Sequence, residues 1–242
     1  MAELKIYAKP SSLYRYRRLG ADAAQEVDAL RENFIFCPAY SAMNDPMEGM
    51  HRLSSRFASK SSSTKSQTRV QEALGAMGIA SMSEVYDHEP MWAHYAGQFT
   101  GMCVQYSLNR LIKGLGSEVA ICRMMYSERE PVLLDDRSDA MDRARLSLSN
   151  KTVRWASERE WRLFKPTVGE ARYDESRTVT KVFLGSRVSE EDEALVREVA
   201  AALRVPVAKM EIEAYSMAFK SLPRKRRPGA LRGRKIPADT VG

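Results

Sequence analysis

The segment "WASEREWRLF", residues 155–164, sets Glu158 and Glu160 one residue apart, with Arg159 between them and Trp161 and Arg162 behind. On a strand, side chains alternate faces, so the two carboxylates would share one side while Arg159 and Trp161 take the other. Such a pair is either a charged strand face or the wall of a cleft where it can stabilise a positively charged reacting centre. In the cleft reading, Trp161 on the opposite face is expected to be buried.

The remaining polar clusters fall at strand positions and turns. "LYRY" (13–16) places Tyr14 and Arg15 on an aromatic-rich strand, and "SMSE" (81–84) carries Ser81 and Ser83 at a strand end. "NDPME" (44–48) holds Asn44, Asp45 and Glu48, either as a turn closed by an Asx hydrogen bond or as a set of oxygen ligands. "MWAHY" (91–95) carries Trp92, His94 and Tyr95; the histidine reads as a structural residue or as a base. Trp92, Trp155 and Trp161 read first as core. No Gly-rich phosphate loop, HExxH or Gly-x-Ser-x-Gly elbow is present, and no metal-binding motif stands out.

The elements that must position these residues follow from periodicity. A strand over 12–19, a helix over 21–33 with Ala24, Val27 and Leu30 on one stripe, and a strand at "NFIFCP" open the chain. The Ser/Lys-rich run 59–67 reads as an exposed loop, 78–84 as a short strand, and 88–96 as a short helix with Pro90 in its first turn. "TGMCVQY" and "EVAICRMMY" read as apolar strands, 136–157 as a long polar helix, and "TVTKVFLG" as another strand. Residues 189–204 form the clearest helix, with Ser189 as N-cap and acids in the first turn; 206–214 closes the body as a strand. About eight strands and four or five helices, with few helices able to serve as crossovers, point to an α+β fold. Its sheet is expected to be mixed and mainly antiparallel with flanking helices, in a single domain over 1–215.

With 242 residues, 44% of them hydrophobic, the chain can bury a sizeable core. It has no apolar run long enough to cross a membrane and no apolar signal segment, so a cytoplasmic protein without membrane contact is expected. Cys37, Cys103 and Cys122 sit in apolar stretches and read as reduced core residues. The net charge of +7 is local: residues 220–235 hold eight Lys or Arg and no acid, and without them thirty bases face thirty-one acids. Residues 216–242 therefore read as a basic, flexible tail, either a solvated appendage or a holder of nucleic-acid phosphates.

The ordered set Leu13–Tyr16, Asn44–Glu48, Met82–Glu84, Trp92–Gly101 and Glu158–Arg162 resembles a bacterial family known as domain of unknown function twenty-nine seventy-one, over roughly residues 12–185. Met82 stands where that family more usually has Phe. The resemblance carries no activity; it implies a context of phage defence or toxins, with a neutralising partner protein as one possibility. A looser similarity, to arginine-type mono-ADP-ribosyltransferases, rests on Arg15, on Ser81 with Ser83, and on Glu158 with Glu160, in that order. It implies NAD as substrate and a macromolecular acceptor, protein or nucleic acid. Glu160 would be the catalytic carboxylate and Glu158 would orient or deprotonate the acceptor. Arg15, at the strand position beside Tyr14, would hold a phosphate; Ser81 or Ser83 would brace the pocket, and Tyr95 or Trp92 would stack on nicotinamide.

Two other functions compete. In a metal-dependent nuclease, Asp45, Glu48, Glu158 and Glu160 would supply oxygen ligands to Mg²⁺, although Arg162 stands where a Glu-x-Lys signature would have lysine. In a non-enzymatic nucleic-acid-binding module the clusters would be structural and the tail would do the binding.

Overall fold

The strand Ser12–Arg17 (β1) sits near the middle of the sheet because both its faces are apolar: Leu13 is buried in one core cluster and Tyr16 in another. The computed structural model describes residues 9–134 and 138–223. After β1 come helix Ala23–Arg31 (α1), which buries Ala23, Val27 and Leu30, and strand Phe34–Cys37 (β2). Strand Arg52–Leu53 (β3), helix Ser55–Ala58 (α2) and helix Ser63–Ala76 (α3) lead to strand Gly78–Ser83 (β4). Helix Glu89–Tyr95 (α4), strand Met102–Ser107 (β5) and helix Leu108–Gly114 (α5) follow. Then come strands Ala120–Arg123 (β6), Met125–Ser127 (β7) and Val132–Leu133 (β8), helix Ala140–Leu148 (α6) and strand Asn150–Thr152 (β9). The chain ends in strands Glu160–Lys165 (β10), Gly169–Arg172 (β11) and Val179–Leu184 (β12), helix Glu190–Ala202 (α7), and strands Val207–Glu213 (β13) and Ser216–Ser221 (β14).

Eight strands form one sheet in the order β14-β13-β12-β5-β1-β4-β10-β6, with β12 and β13 its one parallel pair. That pair is joined through α7, the connection a parallel pair requires. Ser189 caps α7 by accepting from the Asp192 backbone N–H. One sheet face packs Leu13, Met82, Val104 and Leu163 against α1, α5 and α7; the other carries an aromatic cluster under α4 and a second cluster against α3 and α6. The protein is an α+β domain with a mixed, mainly antiparallel sheet and flanking helices.

Several sequence expectations give way. The run 59–67 is not all loop: α3 starts at Ser63, its Val70 and Leu74 buried among polar neighbours that hide the period. The long helix over 136–157 stops at Leu148, where Ser149 and Asn150 turn their side chains back onto the carbonyls of Arg145 and Leu146. It is followed by β9 and a 3-10 helix over Val153–Glu158. β2 lies outside the large sheet and pairs with β11. The body does not close at 214: β14, inside the stretch read as tail, pairs along its whole length with β13. The rest of that stretch, 224–242, lies outside the described residues. Cys37 and Cys103 are buried, Cys122 is half-buried beside the Ser149 hydroxyl, and all three are free thiols. Among the described residues no helix is long and apolar enough to cross a membrane.

Candidate functional site

β1 and β4 are neighbours, yet their register holds one pair, Tyr14 with Ser83. Beyond it the strands part, and the gap opens a cleft of about 550 Å³ in the middle of the sheet. Ser81, on a central strand whose other residues are buried, is exposed because it faces this gap. The cleft is lined by Tyr14, Arg15, Arg17 and Arg18 from β1 and its end, Ser81 from β4, Asn44 from the loop after β2, His94 and Tyr95 from α4, and Lys151, Glu158 and Glu160.

Glu158 and Glu160 reach the same place by a different route from strand alternation. Glu158 ends the 3-10 helix, Arg159 takes a left-handed conformation (φ 48°, ψ 48°), and only Glu160 begins β10. The left-handed residue reverses the chain's sense between the two carboxylates, so both turn inward, to 6% and 4% exposure, while Arg159 stays in solvent. Trp161 does take the opposite face, but it is half-buried, with its indole N–H donating to Glu84 at 2.9 Å.

Buried carboxylates need partners, and here the partners are cations. Arg162, with no solvent exposure, donates Nε to Glu160 Oε1 (2.7 Å) and Nη2 to Glu160 Oε2 (3.1 Å) and Glu48 Oε1 (2.8 Å). Its Nη1 also donates to the Leu148 carbonyl (2.8 Å) and pairs with Glu48. Lys151 places its ammonium 2.7 Å from Glu158 Oε2, 3.4 Å from Glu160 Oε2 and 4.0 Å from Glu48 Oε1, with the Trp155 ring at 4.3 Å. Tyr95 donates its hydroxyl to Glu158 Oε1 (2.7 Å) and accepts from Asn44 Nδ2 (3.1 Å). Three carboxylates against two cations leave one formal negative charge in a dry wall of the cleft.

Local charge sorts the carboxylates. Burial pushes Glu160 up, but the charges of Arg162 and Lys151, with hydrogen bonds from Arg162 and Ser81, outweigh it and hold the carboxyl below 4.5. For Glu48 burial wins over Arg162, and its pKa is raised. Burial and the neighbouring Glu158 push the Tyr95 phenol up, so it stays a donor. Tyr126 receives the Glu160 backbone N–H at 2.7 Å and is pushed up by burial to about 12.

These shifts set a pH dependence of stability. With its folded value depressed, Glu160 contributes fully above pH 4.5, and that contribution is lost as pH falls through the folded value. Glu48 has the opposite sign: its ionised form costs stability, and the cost is relieved as pH falls through the raised value. Thermal unfolding followed from pH 7 to 3 should therefore show an acid limb below 4.5 that Glu160→Gln flattens. Equal slopes in the two proteins would remove Glu160 as its source.

The other candidates divide. Ser83 is fully buried and outside the cleft; its hydroxyl donates to the Glu158 carbonyl (2.7 Å) and accepts from the Val85 N–H (3.0 Å), which fixes the carboxylate segment from behind. Trp92 has no exposure and donates to the Tyr86 carbonyl (2.7 Å), so it cannot stack on a ligand. His94 is exposed on the cleft rim. Asp45 accepts from the Met47 N–H (2.9 Å), the Asx turn, and does not line the cleft. Of the four oxygen ligands foreseen for Mg²⁺, Glu48, Glu158 and Glu160 converge on the Lys151 ammonium, with Glu48 and Glu160 also paired to Arg162, while Asp45 is used in its turn. Among the described residues no group of three His, Cys, Asp or Glu side chains is placed to hold a metal ion. Arg15 borders the cleft but belongs to the opposite sheet face from Glu160 by alternation, and its guanidinium donates Nη2 to the Phe36 carbonyl at 2.7 Å, so it does not converge with the two carboxylates as expected. Lys151 escaped the sequence reading because a lone lysine on a three-residue strand carries no local signal.

Fold and site together define an α+β protein whose central strands part over a buried carboxylate and cation cluster. A family model described as a protein of unknown function, DUF2971, matches residues 91–163 of this chain. The matched region runs from α4 into β10 and contains Tyr95, Lys151, Glu158, Glu160 and Arg162, but not Arg15, Asn44 or Ser81. It is narrower than the 12–185 span on which the sequence motifs suggested that family. No curated protein and no solved structure matches the chain.

Proposed function

We propose that the cleft binds NAD and that the protein transfers ADP-ribose from it to an acceptor, as in the ADP-ribosyltransferase reading of the sequence. The observation that carries this is the adjacency of three strands: β1 with Arg15, β4 with Ser81 and β10 with Glu160 are neighbours in the sheet, and the three residues border one cleft, Arg15 from the opposite sheet face. At the Tyr14–Ser83 pair, where β1 and β4 still meet, two strand spacings, roughly 10 Å, separate β1 from β10, within the length of a dinucleotide. A volume of about 550 Å³ is in the range of small-molecule sites.

In this reading the bond between nicotinamide and ribose C1′ breaks, and its electrons leave on neutral nicotinamide. The acceptor forms the new bond to C1′ and gives up its proton. Glu160, held anionic by Arg162 and Lys151, supplies negative charge to the oxocarbenium-like centre. Glu158 takes the acceptor proton: its oxygens each accept one bond, from Tyr95 and from Lys151, and a carboxylate has about four acceptor sites. Tyr14 or Tyr95 offers the ring face for nicotinamide. The acceptor is taken to be a macromolecule, with the basic stretch after Pro223 as a holder if it is nucleic acid.

The test is incubation of purified protein with NAD labelled in the nicotinamide and adenosine halves, with and without Mg²⁺, and with protein and nucleic-acid acceptors. Metal-independent release of nicotinamide with label retained on an acceptor is expected. Intact NAD under every condition would discard the reading.

A further inference from the structure

The large sheet ends at β14, which pairs along its whole length with β13 and, among the described residues, with no other strand. The Leu222 N–H donates to the Val207 carbonyl, one rung beyond the pair of Ser221 with Ala208. An antiparallel ladder alternates, so Ser216, Ala218, Lys220 and Leu222 turn their backbone groups toward β13. Met217, Phe219 and Ser221 turn theirs outward, where no strand of this chain receives them. The devices that usually blunt such an edge are weak here. β14 holds no proline and no bulge, and its one charge, Lys220, is paired with Glu211 and lies 3.7 Å from Glu213. On one face the edge is apolar: Met217 and Phe219 are half-buried, next to the exposed Ile212. Phe219 carries the aromatic cluster to the rim, its ring 5.2 Å from Phe183 and 5.9 Å from Trp92.

We infer that β14 is a homodimer interface, to which a second copy of this chain adds its own β14 antiparallel, about a two-fold axis passing through Phe219 perpendicular to the sheet. The outward groups are self-complementary in that register. Phe219 exchanges both backbone bonds with the partner's Phe219, and Met217 does so with the partner's Ser221, the pattern of an isologous contact. The axis keeps like faces together, so the two Phe219 rings meet and each Met217 is covered. Charge favours a second copy over an unrelated strand. The register sets Pro223 against the partner's Tyr215, beside the exposed Glu213, and after Pro223 the sequence runs "RKRR". The basic stretch of one copy thus starts at the acidic hairpin end of the other, twice by symmetry. The inference needs neither the cleft nor NAD, and stands apart from the glycosyl-transfer reading.

Sedimentation velocity of the full chain over a range of micromolar concentrations tests it. A reversible monomer–dimer equilibrium is expected, shifted toward monomer by added salt. Ser221→Pro removes an outward N–H and leaves the groups facing β13 in place; Met217→Lys sets a charge on the edge. Each should weaken dimerisation about tenfold or more, because symmetry imposes every loss twice. Glu213→Lys should weaken it through charge alone. Ser221 and Glu213 are exposed, so their variants remain informative if Met217→Lys does not fold, which circular dichroism would show. A monomer at every concentration overturns the inference. So does a dimer that Ser221→Pro and Glu213→Lys leave unchanged, since the contact then lies elsewhere on the molecule.

Discussion

Arg162→Met is expected to lower the unfolding free energy by about 3–5 kcal/mol, measured by urea denaturation at pH 7, although methionine fills much of the same space. The guanidinium is wholly buried and satisfies Glu160, Glu48 and the Leu148 carbonyl at once. Removing it strands two buried carboxylates beside one lysine, whose ammonium is 4.0 Å from Glu48. The loss comes from the orphaned anions and not from the ion pair being worth that much. Arg162→Met combined with Glu48→Met should therefore recover part of the stability, because one orphan is removed with its partner. A single variant within about 1 kcal/mol of the unaltered protein would mean that water or relaxation reaches the cluster.

The same residues show how far sequence could carry the argument. The strand opening at Ser12 and the N-cap at Ser189 that marks α7 were legible, because both signals are local. α3 was lost because Ser and Lys at its start overwrite the stripe of Val70 and Leu74. The pairing of Glu158 with Glu160 looked like strand periodicity, whereas it depends on the left-handed Arg159, a conformation that nothing in "SEREW" announces. Arg162 was visible as a polar residue in the motif but not as the ion that holds it, since its partner Glu48 comes from a turn over a hundred residues earlier. Lys151 and the parting of β1 from β4 are products of tertiary packing alone.

Glu158→Gln is expected to cut nicotinamide release from NAD by about 10²–10⁴-fold while the protein remains folded, the range for loss of a positioned proton acceptor. The amide keeps the shape, and its oxygen can still accept from Tyr95, which now donates at 2.7 Å. It cannot serve Lys151 in the same way: the oxygen at 2.7 Å from that ammonium becomes an NH₂ group, donor against donor, for a stability cost of about 1–2 kcal/mol. That cost is smaller than for Arg162→Met because Lys151 retains Glu160, the Glu48 charge and the Trp155 ring around it. The two variants thus separate scaffold from chemistry: one should lose stability, the other turnover. Urea midpoints and release of labelled nicotinamide measured on both proteins decide it. If Glu158→Gln keeps more than about a tenth of the turnover, a loss far below that range, the acceptor proton goes elsewhere, and Glu158 is a brace for Lys151 rather than a catalytic residue.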